Sequence, residues 1–147
     1  MSGLIVGVGH PDRRDDGVGP LVAARVATSP PAGVDVRTVL TPLHLPDVWE
    51  GYGVVVVVDA VVSGGPLGEV SVTDIVAAAS PGNRGAAGTH GFGLRQVVEL
   101  ARVTGRLPRR LVLVGIEAAD FSHGDELSPA VSAALPEAEL ATRHAIG

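Results

Sequence analysis

The run YGVVVVVDAVV, residues 52–62, decides the fold class of this 147-residue chain. Its five successive valines show no alternation of apolar and polar residues, which predicts a strand that is buried on both faces. Such strands are typical of parallel sheets that carry helices on each side. Asp59 ends the valine run, at a position where a carboxylate without a partner would be costly to bury. We therefore expect Asp59 to have a functional role.

On both sides of this central strand, short apolar segments alternate with helical ones. The remaining predicted strands cover residues 3–8, 34–40, 69–75 and 108–120, and the predicted helices cover about 17–28, 42–51, 91–105 and 128–144. Segment 69–75 follows the central strand too closely for a right-handed crossover, so an antiparallel pairing is expected there. This order predicts one domain, residues 1–147, built as a three-layer α/β/α sandwich. Its five-stranded sheet is mostly parallel, with one antiparallel strand.

Composition excludes several kinds of chemistry. The chain has no cysteine, which removes disulfides, thiolate nucleophiles and cysteine-based metal sites. A formal charge of −5 without a basic block argues against nucleic acid as a partner. No targeting signal or membrane-length apolar run is visible, so a cytoplasmic protein with no membrane association is expected. A monomer is expected because no exposed apolar stripe stands out.

The glycine-rich loop GVGHPDRRDDGVG, residues 7–19, resembles a phosphate-binding loop but does not match one. A dinucleotide fingerprint requires a third glycine where this chain has Asp12, and no GK[ST] sequence occurs. Asp15 and Asp16 add negative charge where a pyrophosphate would bind. A nucleotide is therefore not the expected ligand.

Three polar residues follow strands or precede a helix at one edge of the predicted sheet. Asp16 lies in the loop after the first strand, Asp59 ends the central strand, and His90 closes a glycine-rich loop. Open α/β sheets place their sites at this carboxyl edge. Two carboxylates and one imidazole can bind a divalent transition metal and leave coordination positions open.

Each of these residues also has a simpler interpretation. Asp16 can cap the helix that begins near Gly17, and His90 can cap the following helix or lie exposed. Asp15 is expected to act as a cap or as a hydrogen-bond partner within the loop. The other histidines are expected to be solvated, except for His10, whose role stays open. Those solvated histidines are His44, His123 and His144.

Four motifs, in order and along almost the full length, resemble the maturation endopeptidases of nickel–iron hydrogenases. These motifs are GVGHPDRRDDGVGP, VVVVDAVVSGGPLG, THGFGL and VLVGIEAADFSHGDELSPAV. The resemblance implies the same sandwich, a phosphorylase/hydrolase-like arrangement that includes the reversed strand. It also implies an endopeptidase that removes a C-terminal extension from the hydrogenase large-subunit precursor after nickel insertion. In that family the cut falls just behind a Cys-x-x-Cys-x-x-His/Arg motif.

The resemblance assigns the catalytic and metal-contacting roles to Asp16, Asp59 and His90, with nickel brought by the substrate. One departure is His10, because the family usually has Asn directly after the second glycine of the opening loop. Nickel could polarise the scissile carbonyl or activate a water, and a carboxylate acting as general base is equally compatible. Two alternatives stay open, namely another hydrolase on the same scaffold and a non-catalytic metal-binding or partner-binding accessory protein.

Overall fold

The computed structural model describes residues 2–78 and 92–147, and these form a single five-stranded sheet with helices on both faces. The strands lie in the order β2-β1-β3-β5-β4. All neighbouring pairs are parallel except β4 with β5. This confirms the predicted sheet with one reversed strand. The strands are β1 (Gly3–Val8), β2 (Val34–Val39), β3 (Val54–Val61), β4 (Val70–Asp74) and β5 (Arg110–Glu117).

Six α-helices are present within the described ranges. They are α1 (Val18–Ala27), α2 (Leu45–Trp49), α3 (Ile75–Ala78), α4 (Phe92–Val103), α5 (Pro129–Ala133) and α6 (Leu135–Ile146). Short 3₁₀ turns, Arg14–Gly17 and Pro42–His44, precede α1 and α2. The predicted C-terminal helix is divided, because Pro136 has no N–H to donate to the carbonyl of Ser132. A new helix therefore starts after Ala134.

Two apolar layers hold the helices on the sheet. One layer packs α1, α5 and α6 against one face, with Val56 and Val58 of β3 at its centre. The other packs α2 and α4 against the opposite face, to which β3 contributes Val55 and Val57. The central valines thus face both layers in alternation, which is why the run shows no polar positions before Asp59.

Two details differ from the sequence-based expectations. The reversed strand β4 pairs with β5 at the edge of the sheet, and not with β3, which precedes it in the chain. The sequence of the helix at 91–105 predicts Phe92, Val97, Leu100 and Ala101 as inward residues. Val97 and Ala101 are buried, whereas Leu100 is 66% exposed, so the prediction for Leu100 was wrong. The buried side of α4 is instead formed by residues spaced three and four apart, namely Leu94, Val97, Val98 and Ala101. In the described part of the chain, no helix has the length and apolar character needed to cross a bilayer.

Candidate active site

Asp59 lies at the carboxyl end of β3, in the middle of the sheet. Its side chain is 2% exposed, and strand alternation places it on the same face as Val57, under the layer that contains α4. The residue directly opposite on β5 is Gly115, which has no side chain to cover the carboxylate. A carboxylate that is buried to this degree is unusual for a residue that serves packing alone.

The glycine-rich loop carries Asp16 to this strand end. Gly9 has φ +146°, and a Cβ there would stand 1.8 Å from the main-chain oxygen of Asp16. Only glycine allows the loop to fold back so closely. The main-chain N–H of His10 donates to Oδ2 of Asp16 at 2.7 Å, and Asp16 is 7% exposed. The N-cap of α1 is Gly17, so Asp16 does not occupy the capping position that its simpler interpretation required.

The two aspartates interact electrostatically. Burial raises the pKa of Asp59 well above its usual value, and the nearby charge of Asp16 raises this pKa further. A hydrogen bond from the N–H of Ala60 opposes the shift. Two crowded carboxylates of this kind favour either a shared proton or a bound cation. Of the three predicted metal donors, Asp16 and Asp59 are the two that lie within the described residues, and their role as donors stays a prediction.

Asp15 forms different contacts from those of its neighbour Asp16. It is fully buried, and its carboxylate accepts bonds from the N–H groups of Ala119 and Asp120, at 3.2 and 3.1 Å. Ser128 donates its N–H at 2.7 Å and its hydroxyl at 2.8 Å to the same carboxylate. These contacts fasten the opening loop to the segment after β5, and they confirm the predicted hydrogen-bonding role of Asp15.

The 3₁₀ turn that contains both aspartates starts from a strained residue. Arg14 has φ 45°, a left-handed conformation that costs a side-chain-bearing residue about 1 kcal/mol or more. Its N–H donates to the carbonyl of Gly124 at 2.8 Å, and its guanidinium lies 3.9 Å from Asp120. The segment after β5 therefore holds the turn in this conformation.

His90 lies outside the described residues, but the helix that follows it begins at the site edge. Gly93, in the first turn of α4, lies close to Pro42, as shown by the 3.4 Å that would separate a Cβ on Gly93 from the ring of Pro42. Pro42 in turn follows the carboxyl end of β2. Among residues 2–78 and 92–147, no three His, Asp or Glu side chains form a metal-binding group. The complete predicted donor set includes His90, so that set stays a prediction.

His10, which stands where the family usually has asparagine, forms a hydrogen bond within the loop. Its Nδ1 accepts from the N–H of Asp12 at 3.3 Å, which is the bond that an asparagine side chain forms with the residue two positions on. Its contact with Asp16 uses the main chain, which any residue type can provide. The other histidines predicted to be solvated, His44, His123 and His144, are all exposed.

Sequence reasoning missed Glu117, the last residue of β5. It is 4% exposed and accepts the N–H and hydroxyl of Ser63 at 2.8 and 2.6 Å. The signal was available, since Glu117 ends the apolar strand LVLVGIE as Asp59 ends the valine run. A buried carboxylate after an apolar strand is therefore repeated on two neighbouring strands.

Comparisons with known proteins agree with this fold. The family model of hydrogenase maturation protease, HycI, matches residues 40–143. The maturation protease HybD from Thermococcus kodakarensis is similar at 25% identity and TM-score 0.74, with 99% of each chain covered. A hydrogenase 2 maturation peptidase from a Thaumarchaeota archaeon shows 28% identity and TM-score 0.72, over 100% of this chain and 99% of the other. A comparison with curated protein sequences gives no match.

An endopeptidase from Escherichia coli has a TM-score of 0.83 at 22% identity, over 99% of this chain and 91% of its own. At that identity the likeness supports the fold alone. The family match, by contrast, covers more than half of the chain. The fold is thus that of a class of proteases, and this chain belongs to the hydrogenase maturation protease family.

Proposed function

We propose that this protease removes the C-terminal extension of a nickel-loaded hydrogenase large-subunit precursor, and that Asp16, Asp59 and His90 contact the nickel. The observation that carries this proposal is the buried Asp59 carboxylate beside the charge of Asp16. Such a pair is unfavourable until a cation or a proton joins it. Nickel held by the precursor would bring positive charge to this pair.

The donor types suit this role. Carboxylate oxygen and imidazole nitrogen bind divalent first-row metals, and three protein donors leave positions open for ligands that the precursor provides. Affinity for free nickel should therefore be weak, because the ion arrives with part of its coordination already occupied. The proposal treats nickel as part of the substrate and not as a resident cofactor.

Recognition of nickel would also ensure that cleavage takes place only after nickel insertion. A precursor without nickel brings no charge to offset the repulsion between Asp16 and Asp59, so it should bind poorly. Once nickel is in place, it can polarise the scissile carbonyl or activate a water. Asp59, whose pKa is raised, can also exchange a proton at the same point.

The test is a processing assay on the nickel-loaded precursor encoded in the same genome. Asp16→Ala, Asp59→Asn and His90→Ala should each reduce the rate of processing by about 100-fold or more, because even the residues that only orient a metal ligand contribute about 10–100-fold. The mass of the precursor, before and after incubation, measures release of the C-terminal peptide. Precursor prepared without nickel should stay uncut by the wild-type chain.

Two control variants separate this effect from general loss of charge. Asp12 lies on the same loop with its side chain 68% exposed, and His123 is an exposed histidine in the segment after β5. Asp12→Ala and His123→Ala should process at close to the wild-type rate. Normal processing by all three site variants would contradict the proposal. Binding of the precursor without any cleavage would favour the accessory-protein alternative.

A further inference from the structure

Glu117 lies at the same edge as Asp59 but has no role in the proposed chemistry. It is directly opposite Val61 on β3, and Asp59 is two residues earlier on that strand. Strand alternation therefore places the side chains of Glu117 and Asp59 on one face of the sheet. Gly115 separates the two positions on β5 and adds no side chain between them.

Both ends of the turn after β3 are bonded to Glu117. At one end, its carboxylate accepts the N–H of Ser63 at 2.8 Å and the hydroxyl of Ser63 at 2.6 Å. At the other end, its main-chain carbonyl accepts the N–H of Gly68 at 2.8 Å, and its own N–H donates to Glu69 at 2.9 Å. One residue thus closes the whole connection from β3 towards β4, residues 62–69.

The turn after β3 requires these hydrogen bonds to be ordered, because it is rich in glycine. Residues 62–68 read VSGGPLG, and Gly64 adopts φ +88°. Glycine-rich connections lose much conformational entropy when they are ordered, so they stay mobile unless other groups fix them. Gly65 lies against two carboxylates of this region, since a Cβ on it would be 3.0 Å from Oε1 of Glu69 and 3.4 Å from Oε1 of Glu117.

We propose that Glu117 is a positioning residue that holds residues 62–68 in one conformation at the sheet edge beside Asp59, as a fixed surface against which the extended C-terminal segment of the precursor binds. This inference rests on the proposed function. The turn continues directly from the strand that carries Asp59, so it is placed to contact a peptide that binds at Asp59. Leu67, 41% exposed, gives this surface an apolar side chain for the peptide. A surface ordered before binding removes an entropy cost from the binding step.

The kinetic test compares Glu117→Ala with Glu117→Gln on the nickel-loaded precursor. The alanine variant should raise KM about tenfold and leave kcat within about twofold, because an ordering cost moves into binding. Glutamine keeps an oxygen that can accept the N–H of Ser63, so the KM of Glu117→Gln should be close to that of the wild type. If both variants instead lower kcat by about tenfold or more, Glu117 transfers a proton and the proposal is overturned.

A second measurement follows the turn itself. Amide hydrogen exchange at Ser63 should become faster in Glu117→Ala and stay close to wild type in Glu117→Gln. Unchanged exchange at Ser63 in the alanine variant would overturn the inference, even if the precursor is never cut. Failure of the wild-type chain to process the precursor would instead count against the proposed function.

Thr142→Ala is the control for general destabilisation. The hydroxyl of Thr142 is buried and donates to Ala138 within α6, in the layer on the opposite face from Glu117. This variant should lose stability and keep the wild-type KM. A KM increase in Thr142→Ala equal to that in Glu117→Ala would show that lower stability alone produces the effect.

Discussion

Asp15 and Asp16 show how neighbouring residues of one type can take opposite roles. Asp15 is surrounded by four donors from the segment after β5, so its charge is satisfied within the fold. Asp16 instead lies beside Asp59, whose pKa its charge raises. The surroundings of each carboxylate, and not its residue type, decide whether it stabilises the fold or prepares a site.

Asp59→Asn should make the free chain more stable at neutral pH. The amide can still accept the N–H of Ala60 and has no charge to bury beside Asp16. We expect the free energy of unfolding to rise by the order of 1 kcal/mol, as is common when strain at a functional site is relieved. Urea denaturation in the absence of metal measures the change. A variant less stable than the wild type at neutral pH would contradict this account.

The pH dependence of this gain has a definite sign. Because the pKa of Asp59 is higher in the folded state, the folded chain binds more protons than the unfolded chain above about pH 4. The free energy of unfolding of the wild type, relative to that of Asp59→Asn, therefore falls as the pH rises from about 4 to the pKa of Asp59 in the folded chain. Towards pH 4 the stability gain of Asp59→Asn disappears. Asp12→Asn, which removes an exposed carboxylate, should change stability by less than about 0.5 kcal/mol at each pH.

At the scale of elements, the glycine-rich loop serves close packing. Gly19, in the first turn of α1, lies against the ends of β1 and β3. A Cβ there would be 2.4 Å from the carbonyl oxygen of Val58 and 2.6 Å from that of Val8. The helix can therefore approach both strands, which brings the preceding 3₁₀ turn and Asp16 to the end of β3. The loop resembles a nucleotide motif because both need a helix packed closely on a strand.

Gly19→Ala and Gly93→Ala form a matched pair of helix substitutions. Alanine favours a helix by up to about 1 kcal/mol over glycine, so propensity alone predicts a gain at both positions. At Gly19 the clash is with main-chain atoms, and we expect a loss of about 3 kcal/mol or more. At Gly93 the contact is an ordinary one with Pro42, and we expect no loss. Thermal unfolding measures both, and equal effects would contradict the packing account.

At the scale of the whole molecule, the fold was predictable because its strands are strongly apolar. The valine run of β3 identified a sheet covered on both faces, and the short connection to β4 identified the reversed strand. The strand that pairs with β4 was not predictable. A short connection restricts the direction of β4 relative to β3, but it does not determine which strand β4 pairs with. Leu100 was misassigned because an amphipathic helix admits several registers, and the actual stripe is set by contact with the sheet.

The site was predictable in part, for a related reason. Asp59 and Asp16 follow strands, and strand ends meet at one edge whatever the details of packing. The hydrogen-bond partners of Asp15 and of Glu117 depend on segments distant in sequence, Ser128 and Ser63 respectively, so no local pattern reports them. The family match confirms the resemblance, whereas the joint role of Asp16, Asp59 and His90 stays a prediction.

A crystal structure of the protein soaked in Ni²⁺, with the ion located by its anomalous scattering, tests the central claim most directly. The account predicts one nickel ion bonded to a carboxylate oxygen of Asp16, a carboxylate oxygen of Asp59 and a ring nitrogen of His90. Each bond should be about 2.0–2.2 Å long, as for similar metals with these donors. Donor atoms separated by more than about 5 Å, too far for one ion to join them, or nickel bound elsewhere, would contradict it.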